Sequence, residues 1–145
     1  MVQIVFRHGD RAPLLLNLPS TDKKLFDCSM DSHNIVIDHL FLDLKEVVKY
    51  INIRGVSPKV SQHPLLPDSR IKFCKTGQLT VQGILQLIAI GKHLRRQYND
   101  LLNGLKGNEI SVLTTNRDRT VQSAVAFLYG LLTKEGVIKG LKCWF

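Results

Sequence analysis

Residues 110 to 132, ISVLTTNRDRTVQSAVAFLYGLL, restrict the possible folds more than any other stretch of the chain. Ile110 to Thr115 are rich in β-branched residues, which suits a strand. After a polar turn, Val121, Ala124, Val125, Leu128 and Leu131 or Leu132 recur at the spacing of one helical face, so Asp118 to Leu132 is expected to be a helix packed on a core. Gly136 to Gly140 break that helix, and Leu141 to Phe145 turn apolar again and begin a third strand candidate. Strand, helix and strand in succession predict an α/β sheet with helices on its faces.

The rest of the chain extends this pattern. VQIVF, residues 2 to 6, reads as a short buried strand ending at Arg7. Residues 12 to 34 read as loop, and Asp38 to about Ile51 as an amphipathic helix on Leu40, Leu44, Val47, Val48 and Ile51. Residues 52 to 78 return to loop character, with Pro58, Pro64 and Pro67. Thr80 then opens a long helix in which Ile84, Leu87, Ile88, Gly91, Leu94, Tyr98 and Leu101 share one stripe.

At 145 residues the chain is expected to form one domain, and 44% apolar with 22% charged residues is an ordinary soluble composition. The net charge of +8 favours anionic partners but says nothing of fold. No apolar run is long enough for a transmembrane helix, and Met1 leads at once into strand-like sequence rather than a secretory signal. Cys28, Cys74 and Cys143 are too scattered for a disulfide scaffold and lack metal-ligand spacing. Their odd number leaves at least one thiol without a partner in the chain. Neither a metal nor a cofactor is expected.

Ligands of open α/β sheets bind beyond the carboxyl ends of strands. Arg7, His8, Gly9 and Arg11 follow the first strand candidate in VFRHGDRAPLLL, and Arg117, Asp118 and Arg119 follow the second. Forked guanidiniums from two segments, with a glycine that admits close backbone approach, suit a tetrahedral dianion. A neutral imidazole facing a phosphorus whose oxygens are neutralised by arginines is a nucleophile in position. The expected chemistry is in-line attack by His8 on a phosphomonoester, with a phosphohistidine then hydrolysed by water and no metal required.

Three segments, in order, carry a resemblance to a known family. VFRHGDRAP resembles the signature of the histidine acid phosphatases, a branch of the histidine phosphatase superfamily. GQLTVQGILQLIAIGKHLRRQY is similar to that family's G-x-L-T-x-x-G helix, and the D-R-T-x-x-S-A core of TTNRDRTVQSAVAFLYGLL to its third phosphate-binding segment. The resemblance implies that His8 is the nucleophile and that Arg7, Arg11 and Arg119 bind phosphate; Arg119, not Arg117, holds the motif position before Thr120. Asp10 is not the family's usual proton donor, which belongs to a histidine-aspartate pair. No His-Asp dipeptide occurs in this chain.

By the same resemblance the fold is a phosphoglycerate-mutase-like three-layer sandwich, with helices on both faces of a central sheet. Residues 1–145 would form the N-terminal part of one such domain, without the strands that complete it. The implied activity is that of a metal-independent phosphoric monoester hydrolase working in the secretory pathway, whether Golgi, lysosome or cell exterior. Within the family, RHGDRAPL, the HPL before Cys74 and the RTVQS helix look nearest to the phosphatases of 2-phosphoxylose, which makes a phosphorylated glycan, at the xylose of the glycosaminoglycan linkage region, the finer substrate expectation.

Blander readings compete. The basic KHLRRQY and NRDR stretches fit a module for nucleic acid or sulfated glycan, but aromatics make up only 7% of the chain, too few for base stacking, and no nucleic-acid partner is expected. A truncated, inactive phosphatase-like protein that binds anionic ligands is the other alternative. A mutase or bisphosphatase shares the RHG start but not the other two segments. His33, His39, His63, His93 and Arg117 read as surface or structural residues, and Thr120 and Ser123 as capping or packing at the start of the second helix.

Overall fold

A computed structural model describes residues 2–14, 28, 52–53, 74–106, 109–132 and 142–144. Three short strands, β1 (Asn52–Ile53), β2 (Ser111–Leu113) and β3 (Lys142–Trp144), form a parallel sheet of order β1–β3–β2. Among the described residues three helices accompany them: α1 (Val81–Gln97), α2 (Asn99–Asn103) and α3 (Asp118–Leu131). The run β2–α3–β3 is the strand–helix–strand unit expected from residues 110 to 145, with Val112 opposite Cys143 and Leu113 opposite Trp144. The chain is of the α/β class.

Helix α1 starts at Thr80, whose hydroxyl accepts the Gly83 N–H at 3.0 Å and so satisfies one of the first-turn donors. Its last turn carries Arg95 and Arg96, a charge placement that suits the helix dipole. Helix α3 buries nearly its whole length from Val121 to Leu131. The two helices pack through glycines. A Cβ on Gly91 would lie 2.3 Å from the Phe127 carbonyl oxygen, and one on Gly130 would lie 2.2 Å from that of Ile88. No side chain fits at either position. Leu87, Ile88, Val125, Phe127 and Leu128 fill the core around this crossing.

Three expectations need correction. Residues 2 to 6 form no strand and are not buried, with Val5 83% exposed. The pairing lies further along. Arg11 bridges Leu79 in antiparallel register, Ala12 N–H donates to Gln78 O at 2.9 Å, and Gly77 N–H donates to Pro13 O at 3.0 Å. A ladder partner, not apolar content, decides where an extended segment becomes sheet. Part of what read as loop before residue 78 therefore belongs to this ladder, and Asn52–Ile53 in the same stretch is a strand.

The stripe of the long helix also stops early. Tyr98, at φ −115° and ψ 32°, ends α1, and α2 restarts with a shifted phase. Leu102 is therefore buried in place of Leu101, which with Tyr98 stays nearly half exposed. Cys28 and Cys74 are joined in a disulfide with Cα atoms 5.0 Å apart, a pairing that the cysteine spacing had left open. The expected helix over residues 38–51 lies outside the described residues.

Candidate active site

The segment from His8 to Pro13 is held from three sides. Gly9 presses onto α1 so closely that a Cβ there would sit 2.3 Å from the Gly83 carbonyl oxygen, while a Cβ on Gly83 would sit 2.2 Å from the Asp10 carbonyl oxygen. The two glycines face each other because neither chain leaves room for a side chain. Thr80 is a second tie: its N–H donates to Asp10 O at 3.0 Å, and its hydroxyl lies 2.9 Å from Asp10 Oδ2. The G-x-L-T-x-x-G segment thereby acquires a physical reading. Gly77 turns the chain at φ 67°, Leu79 pairs with Arg11, Thr80 both caps α1 and holds Asp10, and Gly83 admits the signature loop. Asp10 serves here as an anchor.

Two side chains take the loop's backbone donors. Gly9 N–H donates to Ser123 Oγ at 3.1 Å, and Asp10 N–H donates to Gln86 Oε1 at 3.0 Å. Consecutive amides that are committed in this way cannot wrap an anion as a glycine-rich phosphate loop does. Any anion at this site must be held mainly by side chains.

Those side chains are present. The strand-to-helix turn after β2 is locked by Thr120, whose hydroxyl lies 2.7 Å from Thr115 O and 2.8 Å from Arg117 O and receives the Thr115 hydroxyl at 3.1 Å. This fixes the neighbouring residue, Arg119. Its Nη1 lies 3.6 Å from where a Cβ on Gly77 would be, beside the Arg11–Pro13 ladder. Arg119 and Ser123 are one helical turn apart on α3, so one face of that helix meets both the turn at Gly77 and the peptide after His8. The structure brings the signature and the D-R-T segment together.

Arg11 sits half-buried, and its Nη1 donates to Ala12 O at 2.9 Å. The Nε atoms of Arg11 and Arg119 are both shielded from solvent and have no hydrogen-bond partner among the described residues. An unpaired charged donor of this kind costs at least about 1–3 kcal/mol, and an anion set between the two would remove that penalty. Arg7 is exposed, as is Arg117, which caps α3 with its backbone and keeps its side chain at the surface. On the basic face of α1, Arg95 is engaged with the Asn103 side chain.

His8 is half-buried, with Nδ1 2.8 Å from the carbonyl oxygen of Gly9. A carbonyl can only accept, so Nδ1 carries a hydrogen, and in the neutral ring that leaves the lone pair on Nε2. The imidazole is thus in the tautomer a nucleophilic Nε2 requires. Gln86 and Ser123 were not assigned site roles from sequence. Gln86 sits on an exposed helix face, and Ser123 lies within an apolar helix where packing is the ordinary expectation; only the spacing of Ser123 from Arg119 pointed toward the site. Among the described residues no cluster of histidine, cysteine, aspartate or glutamate is arranged to hold a metal ion.

Residues 1–143 match the family model of the histidine phosphatase superfamily (branch 2). Among curated proteins, the chain is similar to 2-phosphoxylose phosphatase 1 of Danio rerio, at 31% identity over 90% of this chain and 26% of that protein. It is 32% identical to the Mus musculus protein of the same name, over 90% of this chain and 28% of that one. Testicular acid phosphatase of Homo sapiens is 31% identical over 90% of this chain and 21% of its own length. The chain thus spans about a quarter of the length of the curated relatives it matches. No solved structure matches it.

Proposed function

The chain belongs to the histidine phosphatase superfamily, branch 2, and on that premise we propose that it carries the nucleophile and phosphate-binding arginines of a phosphomonoester hydrolase. His8 Nε2 attacks phosphorus in line, the P–N bond forms, and the bond to the leaving oxygen breaks. Water then attacks the phosphohistidine, releasing inorganic phosphate and restoring the neutral imidazole. Arg11 and Arg119 hold the equatorial oxygens, and Arg7 supplies a third guanidinium from the exposed rim. The leaving oxygen needs a proton, and no donor for it is assigned among these residues. The observation that carries the reading is the pair of shielded, unpartnered Nε–H groups of Arg11 and Arg119, set against one short ladder from two distant parts of the chain.

The three-layer sandwich, with residues 1–145 forming the first part of a single domain, is the architecture proposed for the whole protein. The finer substrate proposal is the 2-phosphate of xylose in a glycan, supported by the names of the relatives from Danio rerio and Mus musculus. A secretory-pathway location is supported by the Cys28–Cys74 disulfide, since such bonds persist in oxidising compartments. No described helix is long and apolar enough to cross a membrane.

Replacing His8 with alanine tests the reading. Hydrolysis of p-nitrophenyl phosphate and the acid-labile phosphoenzyme should both vanish, while inorganic phosphate still binds through the arginines. Turnover that survives His8→Ala overturns it. A second reading, an anion-binding protein without turnover, draws on the net charge of +8, which favours anionic partners whether or not a reaction follows. It predicts phosphate binding with no phosphoenzyme even in the unaltered chain.

A further inference from the structure

The peptide groups on either side of Gly9 are each held by a different helix, and both lie next to the nucleophile. In the peptide joining Gly9 to Asp10, the carbonyl accepts from His8 Nδ1 at 2.8 Å and the N–H donates to Gln86 Oε1 at 3.0 Å. In the preceding peptide, the Gly9 N–H donates to Ser123 Oγ at 3.1 Å. Ser123 is 1% exposed, so water does not compete for that bond. From these contacts we infer that Gln86 and Ser123 are positioning residues for His8, acting through the backbone to hold its imidazole in one tautomer and one orientation.

The physics runs along a single chain of groups. A peptide whose N–H is engaged by an acceptor becomes more polarised, and its carbonyl becomes a stronger acceptor. Gln86 thus strengthens the bond that keeps the hydrogen on Nδ1, and the lone pair stays on Nε2. Ser123 stops the other peptide from rotating, which would swing the same carbonyl away from the ring. The carboxamide and hydroxyl do together what a carboxylate does in a hydrolase triad, with a peptide group interposed. Gly9 fits between them because Gly83 and Leu87 leave no space for a side chain.

This role rests on His8 being the nucleophile, but its test does not require turnover. Long-range proton–nitrogen NMR on the full chain reads the His8 tautomer directly. The unaltered chain should show hydrogen on Nδ1. Gln86→Met keeps the length of the side chain and removes the acceptor. It should shift the tautomer ratio toward hydrogen on Nε2 by about three- to tenfold, the range one neutral hydrogen bond supports. Ser123→Ala should do the same, and Gln86→Glu, which retains an acceptor oxygen, should restore the original ratio.

Kinetics adds an independent readout. Gln86→Met should lower kcat for p-nitrophenyl phosphate with little change in KM, whereas Gln86→Glu should raise KM, because it adds a negative charge near the phosphate, with kcat largely kept. Gln86 lies exposed on α1, so its replacement leaves the core intact. Hydrogen on Nε2 in the unaltered chain, or an unchanged tautomer in both Gln86→Met and Ser123→Ala, overturns the inference. A chain with the predicted tautomer shifts but no turnover sinks the hydrolase reading and leaves the positioning role standing.

Discussion

Replacing Gly83 with alanine separates the demands of the helix from those of the site. Alanine in place of a helical glycine gains up to about 1 kcal/mol from propensity alone. Here the new Cβ would lie 2.2 Å from the Asp10 carbonyl oxygen and 2.7 Å from its nitrogen. Ordinary van der Waals contact begins at 3.4 Å, so the backbone at Asp10 must retreat by about 1.2 Å. Overpacking of this kind costs about 1–3 kcal/mol, which cancels the propensity gain and leaves a net loss of up to about 2 kcal/mol. The retreating segment carries His8 and Arg11, and a displacement near 1 Å at reacting groups can cost about 100-fold in rate. Gly104→Ala is the control. Among the described residues nothing lies within 4 Å of a new Cβ on Gly104, which already has helical dihedrals of −92° and −9°, so stability should rise by about 0.4–1 kcal/mol with turnover unchanged. Urea unfolding and p-nitrophenyl phosphate turnover measure the two effects. If Gly83→Ala behaves like Gly104→Ala in both assays, the close approach of loop and helix is not what holds the site.

Arg119→Lys keeps the charge but loses the fork and its shielded Nε–H, and should weaken inorganic phosphate binding by about 10–100-fold by calorimetry, the value of one or two charge-assisted hydrogen bonds. Thr80→Ala removes both the α1 cap and the Asp10 contact, and should lower unfolding free energy by about 1–2 kcal/mol, with Thr80→Ser recovering most of it. Breaking the Cys28–Cys74 bond, which closes a separation of 46 residues, should destabilise the chain by about 2–4 kcal/mol in the chain-entropy account, seen as a lower denaturant midpoint under reducing conditions.

The helices were legible because their signals are local. Thr80 as a cap and the apolar spacing of α3 need no knowledge of the rest of the chain, and both α1 and α3 begin where the sequence placed them. That residues 2 to 6 form no strand was not legible, because an apolar run says that a segment prefers burial but not which ladder will receive it. The Arg11–Leu79 bridge joins residues 68 positions apart in sequence, and no pattern within either segment announces the other. At the site, the motifs named the charged groups and left their supports unassigned. The proximity of Arg119 to the Gly77 turn is an outcome of helix packing, as are the bonds from Gln86 and Ser123. Tyr98 failed as a stripe residue because a single change of backbone dihedral resets helical phase, and residue type gives little warning of it.

The glycine crossing between α1 and α3 acts as a spacer gauge for parts it never touches. Gln86 and Ser123 ride on opposite sides of that crossing, and the gap they bridge is fixed by how near Gly91 lets Phe127 come and how near Gly130 lets Ile88 come. Widening the crossing by one methyl group would pull the two clamps apart and slacken the backbone around the imidazole. Inherited or engineered changes at Gly91 and Gly130 would therefore register as a loosened backbone around His8, although neither residue lies in the site whose dimensions it governs.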